Sequence, residues 1–199
     1  PYKPLETDIE FRDVGFAYDP GTQILSGINM VIPKGKTTAI VGASGVGKST
    51  FADMLLGFVS PTQGAIVTGD QDWSEFSLSS LRQGIGYVTQ SPMIFNTTVR
   101  DNIRFGAPAA TDSEIIEAAK IAHAHEFITA LADGYDTQIG DRGENLSGGQ
   151  RQRLAVARVI LCRPSVYVFD EATNALDPES ESLVRAAIRE LSGDATVIL

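Results

Sequence analysis

The chain has 199 residues, 43% of them apolar, and a formal net charge of −9. That length suits one domain with a substantial core and room for a smaller inserted lobe, while the acidic balance speaks against a nucleic-acid groove, which needs a basic face. No apolar run approaches the ~20 residues that cross a bilayer, and the single cysteine, Cys162, excludes an internal disulfide, as suits a reducing cytosol.

In chain order, residues 1–8 carry PYKPLET, a polar, proline-containing stretch that reads as a linker from an upstream domain. IEFRDVGFAY and GINMVIP alternate partly with period two, as half-buried antiparallel strands do. TTAIVG is expected to be a short buried strand entering a glycine-rich loop, followed by a helix, STFADMLLG, closed by Gly57. SPTQG marks a turn, and AIVTG and IGYVTQ further strands.

From residue 91 the character becomes helical. Thr111 and Glu114 form a capping box ahead of Ile115, Ala118, Ala119 and Ala122, which share one helix face. A helix opening at LSGGQ runs to Cys162 and Arg163, where Pro164 stops it. SVYVFD is a continuous apolar strand, as in the middle of a parallel sheet. Asp177 and Pro178 start a last helix with Leu183, Val184, Ala187, Ile188 and Leu191 inward and Gly193 at its end. ATVIL is a final strand, after which the chain stops abruptly, as a fragment would. Arg151, Arg153, Arg158 and Arg163 read as a solvated helix face rather than a basic groove. The pattern is an α/β core interrupted by an all-helical insertion.

Three stretches carry chemistry. GASGVGKS fits G-x-x-x-x-G-K-[ST] between a predicted strand and helix, the context that motif needs. Backbone N–H groups of Gly42, Ala43, Ser44, Gly45, Val46 and Gly47 can point into one concavity, with Ser49 and Thr50 opening the helix. Lys48 would reach the β and γ phosphates, and the Ser49 hydroxyl would ligate Mg²⁺. Asp170 stands where an apolar strand emerges and can hold the metal, while Glu171 is available to polarise an attacking water. At LSGGQ, Ser147 is a natural N-cap, and Gly148 and Gly149 would leave first-turn N–H groups open to an anion. A plain capped helix needs no such pair, since each glycine costs up to ~1 kcal/mol.

With these motifs in order, the chain resembles the nucleotide-binding domain of an ATP-binding cassette (ABC) transporter over nearly all its length. The phosphate loop at 42–49, Gln90 as the Q-loop, LSGGQ at 146–150, VYVFDE at 166–171 and NALD at 174–177 carry the resemblance. It implies a P-loop NTPase fold: an α/β core with a mixed sheet, an N-terminal antiparallel β subdomain, and an inserted α-helical subdomain. The core would take residues 9–90 and 157–199, and the helical part residues 91–156. ATP and Mg²⁺ are the implied ligands, with Ser49, Gln90 and Asp170 on the metal and Tyr18 stacking on adenine. Lys48, Gln90 and Glu171 would serve hydrolysis. The resemblance further implies head-to-tail pairing with a second such domain, identical or not. Ser147, Gly148, Gly149 and Gln150 would then cap the γ-phosphate held by the partner.

TQIGDRG, 137–143, resembles the segment through which exporters contact their membrane domains. With the leading linker, it points to an exporter half in which membrane domain and ATPase share one polypeptide, at the cytoplasmic face of a membrane. The family's switch histidine is expected beyond Leu199; His123 and His125, two apart on a helix, are expected to be structural. A repair-type ATPase of the same superfamily would need a coiled coil between Gly42 and Ser147, and no heptads lie there. A nucleotide-sensing module without turnover is the alternative. Cargo is not written in these residues.

Overall fold

The computed structural model describes residues 7–19, 21–43, 45–173, 176–192 and 195–199. Its chain forms two compact units, one of Pro1–Ile85, Pro164–Asp170 and Ser192–Leu199, the other of Gly86–Arg163 and Glu171–Leu191.

In the first unit, β1 (Ile9–Ala17) pairs antiparallel with β2 (Gln23–Ile32). The alternation that buries Ile9 and Phe11 breaks at Asp13, a left-handed residue (φ 50) whose N–H donates to Asn29 Oδ1. The register shifts there, and Val14, Gly15 and Phe16 are buried in succession, as a bulge allows. After β3 (Thr37–Thr38) and α1 (Lys48–Leu55), β4 (Gln63–Thr68) and β5 (Gln71–Asp72) complete an antiparallel sheet ordered β2-β1-β4-β5. Phe11 stacks on Phe51 of α1 at 4.5 Å, which seats that helix on the sheet's apolar face. Gly57 (φ 67) closes the helix, and the buried Trp73 indole donates to the carbonyl of Leu55, an otherwise open end of its ladder.

α2 (Leu78–Gly84) was not legible in the sequence; it is a short helix whose clearest local sign is Ser77, accepting from Ser80 N. The chain leaves this unit along β6 (Ile85–Val88) and returns in β7 (Val166–Phe169), buried along its whole length. β7 lies parallel to β8 (Thr196–Ile198), which in turn is parallel to β3. TTAIVG is less of a strand than expected. Only Thr37 and Thr38 form a ladder, Ile40 N donates once more to the Leu199 carbonyl, and Val41 is 89% exposed.

The second unit is helical: α3 (Val99–Arg104), α4 (Asp112–Ile121), α5 (His125–Thr129), α6 (Gly148–Leu161) and α7 (Pro178–Leu191). The Thr111–Glu114 capping box opens α4, and Ile115, Ala118, Ala119 and Ala122 are buried. α7 buries Val184, Ala187, Ile188 and Leu191, with Leu183 only half-buried; Gly193, expected at its end, lies outside the described residues. His123 (φ 51) ends α4 beside Glu190, and His125 Nδ1 meets the Tyr135 hydroxyl at 2.9 Å, so both are structural. The compact units do not divide at residues 90 and 156. α6 runs unbroken through 156 and 157, and a continuous hydrogen-bonded helix packs as one piece.

The arginine row is not a solvated face. Arg151 donates to the carbonyl of Leu146, and Arg153 to that of His123 while lying over the Phe127 ring; Arg158 is mostly enclosed. Only Arg163 is exposed, near Glu114. Such stems and guanidinium planes pack well against apolar surface when backbone oxygens receive their donors. Among the described residues no helix is long and apolar enough to cross a membrane.

The capping box makes a testable contribution. Thr111→Ala should lower unfolding stability by about 1 kcal/mol, the usual loss of an N-cap, and Thr111→Ser should restore it in denaturant titrations. The Glu114 carboxyl is held below the usual range, first by the Thr111 N–H and then by its hydroxyl. A depressed carboxylate stabilises above its unfolded pKa and loses that as pH falls through the folded one. The difference between parent and Thr111→Ala should therefore shrink on acidification below the ordinary glutamate range.

Candidate functional site

The glycine-rich loop turns on two residues in the left-handed region, Gly45 (φ 80) and Gly47 (φ 102). A Cβ on Gly47 would also press on Leu25, so conformation and space both demand glycine there. α1 starts immediately after, with no side-chain cap. Its first ladder bond runs from Phe51 N to the Gly47 carbonyl, 2.9 Å, leaving the N–H groups of Lys48, Ser49 and Thr50 ahead of the ladder. Lys48 Nζ curls back to donate to the carbonyls of Gly42 (2.9 Å) and Ala43 (3.0 Å). The loop is thus wrapped around its own ammonium group, a concavity of N–H dipoles and one cation suited to polyphosphate. Ser44 lies outside the described residues.

Asp170 closes β7 in this same unit. Within reach of its charge is a residue that motif reading passed over, Asp53, one helical turn beyond Ser49 on α1. Partial burial pushes its carboxyl up, and the nearby Asp170 charge pushes it further. The i, i+4 spacing from Ser49 was its only sequence signal. The Ser49 hydroxyl and Asp170 carboxylate are hard oxygen donors, a set that fits Mg²⁺, which takes few protein ligands and the rest from phosphate and water. Tyr18, just after β1, is 59% exposed with its ring edge-on to Phe16 at 4.7 Å, a face open to stacking.

The second unit holds the remaining candidates. Glu171 is exposed and left-handed (φ 51), a costly conformation for a non-glycine residue that turns the chain sharply after Asp170. Gln90 is exposed two residues past β6. At α6 a full capping box is present: Ser147 Oγ accepts from Gln150 N (3.2 Å), and Gln150 Oε1 accepts from Ser147 N (2.9 Å). Gln150, grouped on sequence with the phosphate ligands, therefore has its amide oxygen engaged within its own helix. The two glycines also part company. A Cβ on Gly148 would make only ordinary contacts, with Arg151 and Leu176 at 3.9 Å, but one on Gly149 would overlap Ser180 in the first turn of α7. Close packing of α6 on α7 therefore requires a glycine at 149. Asp177 caps α7 by accepting from Ser180 N, which holds its carboxyl below the usual range. Asn174 and Ala175 of NALD lie outside the described residues.

TQIGDRG is tied to the segment after Gln90. Val99 N donates to Thr137 O (3.1 Å) and Ile139 N to Thr97 O (2.9 Å), and a turn follows at Asp141–Gly143 with Arg142 left-handed (φ 52). Lys48, Ser49, Thr50, Asp170 and Tyr18 thus share the first unit, and Gln90, Glu171 and Ser147–Gln150 the second.

A strand, a left-handed glycine loop around a lysine, an uncapped helix and a carboxylate at a parallel strand's end define a P-loop NTPase. Residues 25–174 match the ABC transporter family, and the chain belongs to that family. It is 45% identical over 197 residues to the heterocyst differentiation ATP-binding protein of Nostoc sp., covering 99% of this chain and 32% of that protein. It is 47% identical over 192 residues to a putative multidrug export ATP-binding/permease protein of Staphylococcus aureus, covering 96% and 33% respectively. The structure of a bacterial Atm1-family ABC exporter with ATP bound superposes with a TM-score of 0.91 at 39% identity, over 100% of this chain and 35% of that one. The chain spans about a third of the length of these relatives. Its fold is that of an ABC exporter's nucleotide-binding domain, and its nucleotide is ATP.

Gly149→Ala should destabilise the chain without nucleotide, by roughly 1–3 kcal/mol as overpacking does, and Ser180→Gly in the same chain should recover part of the loss. Urea unfolding measures both. A Gly149→Ala chain as stable as its parent would return that glycine to phosphate access.

Proposed function

We propose that this chain is the ATP-hydrolysing motor of an ABC exporter, pairing head to tail with a second such domain around two nucleotides. The observation that carries the reading is the loop wound around Lys48 at the uncapped start of α1. The N–H groups of residues 42–50 cradle the phosphates, Lys48 binds the β and γ oxygens, and Tyr18 stacks on adenine. Ser49, Asp170 and Gln90 would hold Mg²⁺, which when bound neutralises charge across the β and γ phosphates. Glu171 takes the proton from the attacking water. Ser147 and Gly148 face the γ-phosphate on the partner domain, with Gly149 setting the helix in place and Gln150 completing the cap.

The pairing reading rests on one chain having two helix starts suited to anions, one in each unit. A membrane domain in the same polypeptide is supported by the multidrug export ATP-binding/permease name of the Staphylococcus aureus relative and by the chain's share of its length. TQIGDRG would receive that domain's motion at the membrane's cytoplasmic face, and the cargo would be chosen in the membrane domain. No nucleic acid is involved.

In the full protein, Glu171→Gln should keep ATP affinity, slow turnover by about 10²–10⁴-fold, the usual worth of a positioned base, and accumulate an ATP-loaded dimer. Lys48→Ala should lose ATP binding or turnover. Parent-like hydrolysis by Glu171→Gln would sink the assignment of the base.

A further inference from the structure

Two side chains of α6, Gln152 and Arg158, end on main-chain carbonyls on either side of Gln90. Gln152 is buried (1% exposed), and its amide Nε2 donates to the carbonyl of Thr89 at 3.1 Å. Arg158 donates through Nη1 to the carbonyl of Met93 (2.9 Å), through Nε to that of Asn102 (2.8 Å) and through Nη2 to Asn102 Oδ1 (3.1 Å). Its guanidinium lies over Phe95 at 5.1 Å, and Phe95 stacks on Phe105 at 4.2 Å. The fully buried Asn102 fastens the same strap, accepting from Phe95 N and donating to the carbonyls of Phe95 and Thr98. Gln152 and Arg158 stand about 9 Å apart along the helix axis at 1.5 Å per residue. Residues 89–93 span up to ~14 Å, enough to run between them. Only residues 90–92 are left between the two held carbonyls.

We propose that Gln152 and Arg158 are positioning residues for Gln90: the helix that begins with LSGGQ grips the backbone on both sides of that glutamine, so residues 90–92 move with α6. A displacement of the signature motif is then a displacement of Gln90. Geometry favours this over simple core filling, since both donors end on main-chain oxygens, of Thr89 and Met93, on either side of the exposed Gln90. Arginine suits the second grip because its planar fork holds donors spread in a fixed geometry, reaching acceptors on two separate residues, where an ammonium is a compact point.

The inference rests on the role given to Gln90 above, and the test separates the two. In the full protein, Gln152→Leu and Arg158→Lys should keep ATP affinity within about 2-fold and lower kcat by on the order of 10-fold, since ~1 Å of misplacement at a reacting site costs up to ~10²-fold. Combined with Gln90→Ala, neither should slow hydrolysis beyond Gln90→Ala alone, because residues acting through one another are not additive. Amide exchange over residues 89–93 should quicken in each variant, with that of α4 unchanged. If Gln90→Ala slows hydrolysis but the double variants multiply the losses, or exchange at 89–93 does not change, the positioning role is overturned while the role of Gln90 stands. If Gln90→Ala hydrolyses at the parent rate, both fall. Should Gln152→Leu fail to fold, Gln152→Met carries the same expectations.

Discussion

Everything at the nucleotide end of this chain depends on how α1 begins. Gly47 sits at φ 102, closed to most side chains, and the helix behind it starts without a cap. Capped helices satisfy a first N–H group with a side chain; at this one no side chain caps the start. The same turn bends the loop so that its carbonyls hold the Lys48 ammonium. An anion therefore meets a cation and a row of donors already fixed by the backbone, with little left to order on binding.

α6 begins the opposite way. Its capping box satisfies both Ser147 and Gln150 internally, and Gly149 is consumed by contact with Ser180. What remains for an outside anion is the Ser147 hydroxyl as a donor and the N–H groups of Gly148 and Gly149 ahead of the ladder. A helix that must meet a phosphate only when a partner arrives has to be stable before it does, and the box provides that stability. α1 is built to be completed by its ligand, α6 to be complete alone.

The polar side chains further along α6 follow the same logic inside the unit. Arg151, Gln152, Arg153 and Arg158 reach the carbonyls of Leu146, Thr89, His123 and Met93. Loops lack the regular ladder that satisfies main-chain oxygens, so long amide and guanidinium donors from one rigid helix take its place. The helix becomes the post to which the irregular segments of the second unit are tied.

The sequence by itself determined the elements whose causes are local. The phosphate loop, the Thr111 box, the Ser147 cap, the stop at Pro164 and the buried β7 are written in residues a few positions apart, because caps, turns and strand periodicity act over that range. So was the family, since its motifs stand in a fixed order. Tertiary structure alone decided matters that depend on neighbours distant in sequence. A Cβ on Gly149 would overlap Ser180, and Asp53 lies near enough to Asp170 to feel its charge. Three of the four arginines that look solvated in one dimension are half-buried in three, because the carbonyls they bind lie five to sixty-five residues away. Charge in a sequence says that a partner is needed; only the fold supplies which oxygen it is.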